Sequence, residues 1–238
     1  MSGLGELLLE GASRMGIAMS GAQAEQFERY HRMLLEANAR MNLTRVPEDL
    51  REAADRNYLD CIAPLAAGLP PAQTAADVGS GAGFPGIPLA IMLPGTRFTL
   101  MDALGKRVAF LEAVIAALGL DARAAHLRAE DAGRMPACRE RFDLVTARAV
   151  APLNVLCEYL LPLTRVGGMA LALKGPGFEA ELAEAEGALK LLGAGAVETR
   201  ATDIPGRDWG HVAVWIEKAA PTPEKYPRRS GLARKRPL

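Results

Sequence analysis

The sequence predicts an α/β protein built on a mostly parallel sheet covered by helices on both faces. An antiparallel hairpin closes one edge, and a helical extension precedes the first strand. Three observations carry this. From about residue 73, short apolar runs alternate with segments of helical period, the pattern of successive βα units. The last two apolar runs are separated only by the turn-rich "PGRDWG", so they pair as a hairpin. The first 70 residues, by contrast, read as helical throughout.

In "GAQAEQFERYHRMLLEANAR", Phe27, Tyr30, Leu34 and Ala37 fall at helical spacing with charges on the other face. A second, shorter helix covers "PEDLREAADRNYLDCIAPLAAGL" and ends before Pro70-Pro71. Thr74–Val78 is the first strand, and "GIPLAIMLP" is the helix after it. "TRFTLMDA" is a strand, followed by the helix "KRVAFLEAVIAALGL" with Val108, Leu111, Ile115 and Leu118 on one stripe. "ARAAHLRAED" and "FDLVTARAV" supply strands, "LNVLCEYLLPLT" a helix, "GGMALALKG" a strand and "FEAELAEAEGALKLLGA" a helix. "AVETRATDI" and "HVAVWIEKA" form the hairpin. The chain therefore divides into a helical extension (1–72), an α/β core (73–218) and a basic tail (219–238).

Half of the 238 residues are hydrophobic and 24% are charged, with a formal net charge of zero, the profile of a globular protein. The charge is unevenly spread: residues 219–238 hold six Lys or Arg against one Glu. Cys61, Cys138 and Cys157 are far apart and join no histidine cluster, so neither a metal site nor a disulfide framework is expected. Glu6 and Glu10 stand where a signal peptide would be basic and apolar, and no apolar run reaches about 18 residues. A cytoplasmic protein is expected.

"AADVGSGAGFPGIPLAIM" packs glycines and prolines between two apolar runs. Glycine is needed where the backbone turns with positive φ or a ligand comes close. "GAGFPG" satisfies G-x-G-x-x-G, but that match alone is weak, and it would force Gly79-Ser80 into the strand. A frame starting at Asp77 puts a carboxylate at the strand end and Gly79, Gly81 and Gly83 in the turn. Pro85 and Pro88 then enter the first helical turn, where a missing N–H costs little. A helix N-terminus favours anions, and Asp77 beside it would oppose a pyrophosphate. S-adenosylmethionine, with a carboxylate and two cationic centres, suits the mixed field better. Asp102 ends the next strand nineteen positions past Gly83, where an acid accepts from ribose hydroxyls. Glu130 follows the strand after that, where adenine would lie. As alternatives, Asp77 caps the loop, Asp102 begins a helix and Glu130 is a solvated acid.

The segments "MNLTRV", "DVGSGAGFPGIPLAI", "LGKRVAFL", "ARAVAPLN", "LALKGPG" and "KYPRRSGLARKRPL" together resemble the ribosomal RNA small-subunit methyltransferase G family, also called glucose-inhibited division protein B. The resemblance implies the class I S-adenosylmethionine-dependent methyltransferase fold, which is Rossmann-like, and methylation of N7 of a guanine in 16S ribosomal RNA. It also implies cofactor contacts at Gly79, Phe84, Ala129, Glu130 and Arg148. Phe84 stands where Leu is common. "RNYLDC" departs from the family's usual His and Ser around Leu-Asp, so no role carries over to Asn57 or Cys61.

N7 of guanine already offers a lone pair, so positioning rather than a general base is required, and no catalytic residue is assigned. His31, His126 and His211 are scattered and read as surface or core residues. Arg148 is a candidate for cofactor or RNA contact, or for a buried ion pair with Glu130. Lys174, Arg228, Arg229, Arg234, Lys235 and Arg236 are candidates for RNA phosphate, with Tyr226 suited to stacking. On this reading, deleting 219–238 leaves cofactor affinity unchanged. Three other readings stay open: a methyltransferase for a small molecule or protein, a non-catalytic RNA-binding assembly factor, and an NAD-dependent dehydrogenase.

Overall fold

A computed structural model describes residues 3–238. The helical extension comprises α1 (Leu4–Arg14), α2 (Gly21–Met41), α3 (Leu50–Ala53) and α4 (Asp60–Ala66). Between α3 and α4 the helix widens into a π-type segment, Ala54–Leu59, a rare geometry often found at functional sites. The second helix read from the sequence is thus one rod with a bulge, and α1 is an element the sequence reading did not single out. Ser20 and Gln23 close a reciprocal capping box at the start of α2, and Asn42 ends it in the left-handed region.

The core continues with β1 (Thr74–Val78), α5 (Gly86–Met92), β2 (Arg97–Asp102), α6 (Gly105–Leu118), β3 (Ala122–His126), α7 (Ala129–Ala132), β4 (Phe142–Arg148) and α8 (Leu153–Leu160). After these come β5 (Thr164–Lys174), α9 (Phe178–Leu191), β6 (Ala194–Ala201), β7 (Val212–Lys218) and α10 (Leu232–Lys235). The seven strands lie in the order β3-β2-β1-β4-β5-β7-β6. All pairings from β3 to β5 are parallel, whereas β7 pairs antiparallel with both β5 and β6. The expected sheet and edge hairpin are therefore present, with β7 on the inner side of β6.

Two apolar layers flank the sheet. On one face Phe27, Tyr30 and Leu34 of α2 pack with Tyr58, Ile62, Ile87, Phe98, Leu100 and Leu111, so the extension and the sheet share a core. On the other, Leu153, Leu156 and Leu160 of α8 pack with Val145, Ala170, Val214 and Ile216. Burying each large side chain contributes roughly 1.5–3 kcal/mol. Tyr226 and Ala233 join this second cluster, so the C-terminal tail is docked on the body. No helix among the described residues is long and apolar enough to cross a membrane.

Candidate active site

The strand order reverses between β1 and β4: crossovers from β1 run toward β3, and those from β4 run toward β5. A crevice opens beyond the carboxyl ends of the strands at such a switch point. The glycine loop after β1 and the Ala149–Pro152 segment after β4 flank it. Gly79, Gly81 and Gly83 have φ of 70°, 60° and 107°, which side chains rarely tolerate. A Cβ on Gly83 would also lie 2.8 Å from the Tyr30 hydroxyl.

The structure turns Asp77 under this loop. Its carboxylate is fully buried and accepts from Gly86 N (3.1 Å) and Thr146 Oγ1 (3.2 Å). The parallel register sets Thr146 directly beside it. Burial pushes its carboxyl up to about 6, and the hydrogen bonds from Gly86 and Thr146 oppose that rise. Asp77 thus braces the turn from below, a correction to its placement among cofactor-facing groups: the alternation of a strand sends this side chain away from the crevice. Tyr30 also braces the loop, donating to Ala82 O at 2.6 Å.

Two cavities open at the crevice. The first, about 360 Å³, is lined by Gly79, Asp102, Ala129, Glu130, Gly231 and Arg234, among others. Asp102 accepts from Gly81 N and Leu104 N, both at 2.9 Å. These bonds fix its orientation and leave acceptor capacity, since a carboxylate has about four lone-pair sites. Glu130, buried rather than solvated, accepts from Gly231 N at 2.9 Å. The second cavity, about 640 Å³, is lined by Arg56, Asn57, Asp60, Arg148, Lys174 and His211, among others. Ala149 and Val150 line both and form their common wall.

Arg148 faces the second cavity and pairs with Asp60 (3.2 Å), not Glu130. Its guanidinium also lies 4.8 Å from the Phe84 ring centre, so Phe84, buried under Tyr30 and Tyr58, is a platform for Arg148. Asp60 also accepts from His211 Nδ1 at 2.8 Å. Lys174 is held by Glu181 (2.6 Å) and Ala151 O (2.8 Å), which removes it as an unengaged phosphate contact. Burial pushes the thiols of Cys61 and Cys157 up to about 12, leaving them un-ionised and poor nucleophiles.

The tail departs further from its sequence reading. Arg228, expected to face RNA, grips the fully buried Glu158 through its backbone N (2.6 Å), Nε and Nη2. Arg234 donates to Val150 O at 3.0 Å. Gly231 and Arg234 line the first cavity, so the tail borders this cavity rather than standing apart from it. Arg229, Lys235 and Arg236 remain exposed and line a shallow basic hollow.

A solved structure with similar architecture is a predicted O-methyltransferase from Agrobacterium tumefaciens, with a TM-score of 0.53 at 21% identity over 68% of this chain and 81% of that one. Over residues 23–207 the sequence matches the family model GidB, rRNA small subunit methyltransferase G. The chain belongs to that family. Curated GidB relatives are similar along their full length. The ribosomal RNA small subunit methyltransferase G of Pelotomaculum thermopropionicum is 45% identical over 100% of both chains. The protein of the same name from Lactobacillus johnsonii is 42% identical over 98% of this chain and 99% of its own. Several groups that shape this GidB site escaped the sequence reading, namely Tyr30, Asp60, Glu158 and His211. Their partners lie 52 to 151 residues away, and no local motif signals such pairs.

Proposed function

We infer that this protein transfers a methyl group from S-adenosylmethionine to N7 of a guanine in 16S ribosomal RNA. The observation that carries the reading is the pair of cavities meeting at one wall, Ala149–Val150, at the switch point of a GidB-family chain. The first cavity fits the cofactor by its donor set. Asp102 offers acceptor capacity to a ribose diol, Glu130 lies further along the strand ends, and Gly79 gives backbone approach beneath. When bound, S-adenosylmethionine would supply an electrophilic methyl on a sulfonium, chemistry that asks of the base only a free N7 lone pair and no proton removal.

The residues of this chain hold the two partners in line. Positioning of this kind can supply roughly 7–11 kcal/mol of a barrier. Asp77, Tyr30 and Asp102 fix the loop. Arg148, oriented by Asp60 and Phe84, borders the second cavity, which receives the base. Asp60 and Glu181 at that cavity hold Arg148 and Lys174 in fixed positions around the base. Arg229, Lys235 and Arg236 extend a basic surface beside the first cavity for the RNA backbone.

The test is incubation with labelled S-adenosylmethionine and unmethylated small-subunit RNA, then mass spectrometry of the nucleosides. Label in 7-methylguanosine is expected. Label in another nucleoside, or none in RNA, would overturn the reading. Under single turnover the transfer step should be nearly flat from pH 7 to 8.5, because no base removes a proton.

A further inference from the structure

Among the described residues, two buried side-chain polar atoms lack a hydrogen-bond partner, Asn57 Nδ2 and Trp215 Nε1. Only the first belongs to a residue of the second cavity. Asn57 lies in the π-type segment, is 6% exposed, and stands between Arg56 and Tyr58. A buried amide N–H left without an acceptor is costly, and native structures rarely keep one without a reason. The amide's terminal torsion is broad and two-fold, so a half-turn exchanges its ends, presenting Nδ2 to the cavity and leaving Oδ1 in the buried position.

Most other charged groups there are already engaged, the exposed Arg45 excepted. Arg148 and His211 are held by Asp60, and Lys174 by Glu181. Arg56 is bound to Glu52 and stacked on Trp209 at 4.6 Å. Among the described residues lining this cavity, Asn57 is the one whose buried donor lacks an acceptor. A guanine whose N7 attacks a methyl must keep that lone pair unshared. The acceptor left on the same edge of the base is O6.

We propose that Asn57 donates to O6 of the target guanine, orienting N7 toward the Ala149–Val150 wall and recognising the base by its carbonyl. The proposal rests on the methyltransferase reading above. It assigns Asn57 a positioning and specificity role, and the engaged cations a supporting one.

The experiment compares RNA carrying guanine at the methylated position with RNA carrying 2-aminopurine there, which keeps N7 but lacks O6. Single-turnover rates are measured for wild type, Asn57→Ala and Asn57→Asp. Asn57→Ala should lose about tenfold on guanine, the rate change equivalent to about 1.4 kcal/mol, and little on 2-aminopurine. Taking the ratio of ratios removes the intrinsic difference between the bases. Asn57→Asp, which offers acceptors of similar size, should slow guanine more than 2-aminopurine. S-adenosylhomocysteine affinity should stay at the wild-type value in both variants, since Asn57 does not line the first cavity. Equal slowing of both bases would show that Asn57 is merely structural and overturn the proposal alone. Absence of N7 methylation by wild type would overturn both it and the reading beneath it.

Discussion

Arg228→Ala removes the partner of a carboxylate that is fully buried, Glu158. Arg228 contributes three side-chain contacts of 2.6–3.0 Å, and its backbone N a fourth. Breaking a buried pair from one side costs about 3–5 kcal/mol, because the remaining charge is left uncompensated. The chain has a cheaper escape than global unfolding. Residues 226–238 can lift from α8, hydrating Glu158 at the expense of the burial of Tyr226 and Ala233 and the contact of Arg139 with Tyr226 O. Lifting also breaks Gly231 N to Glu130 and Arg234 to Val150 O. At about 0.5–1.5 kcal/mol each, these two bonds would weaken S-adenosylhomocysteine binding roughly 5- to 150-fold. Calorimetric titration measures that loss, and limited proteolysis beyond Lys218 reports the undocking. Arg228→Ala with Glu158→Gln should recover most of both, since Gln is uncharged and still accepts from the backbone N–H of residue 228. Wild-type affinity with undiminished protection in Arg228→Ala would refute the coupling of tail to cofactor cavity.

Three further outcomes are expected. Neutralising Arg229, Lys235 and Arg236 together should flatten the dependence of log K for RNA on log salt by about 2 units, three phosphates at about 0.7 each; an unchanged slope would remove this hollow from RNA binding. Tyr30→Phe leaves the Ala82 carbonyl without its partner and should cost about 1–3 kcal/mol of stability, read as a fall in denaturant midpoint at constant m. Asp77 holds its proton up to about pH 6 when folded but only to about 3.9 when unfolded. Over that window the unfolded form has released a proton the folded form keeps, so stability from this group is full below about pH 3.9, falls as pH rises to about 6, and is flat beyond. The difference in melting temperature between wild type and Asp77→Asn, followed from pH 4 to 7, should show this fall; a constant difference would contradict it.

Hydrophobic period made most of the sheet legible. Phe98 and Leu100 of β2 face one apolar layer and Met101 the other, and the stripe Val108, Leu111, Ile115, Leu118 is buried as its spacing implies. The positions of Asp102 and Glu130 follow from counting along successive βα units. What the sequence concealed was direction and long-range partnership. Strand ends tell where Asp77 sits but not whether its carboxylate points above or below the loop. Tyr30 reads as one more residue of a core stripe until Ala82 O is found against its hydroxyl. A run of arginines likewise reads as a solvated tail, because nothing near Arg228 in the chain announces Glu158, 70 residues earlier.

The shared wall has a practical consequence for chemical inhibition. Because Ala149 and Val150 separate the two cavities and line both, an adenosine fragment and a purine fragment would sit on either side of the same short backbone turn. A bisubstrate compound joining them must pass Val150, whose carbonyl is pinned by Arg234. Joining two weak fragments gains from raised effective concentration only when the tether spans the gap. Tether length in such a series is therefore set by this turn, and a tether that displaces the Arg234 contact would loosen the C-terminal strap as it binds.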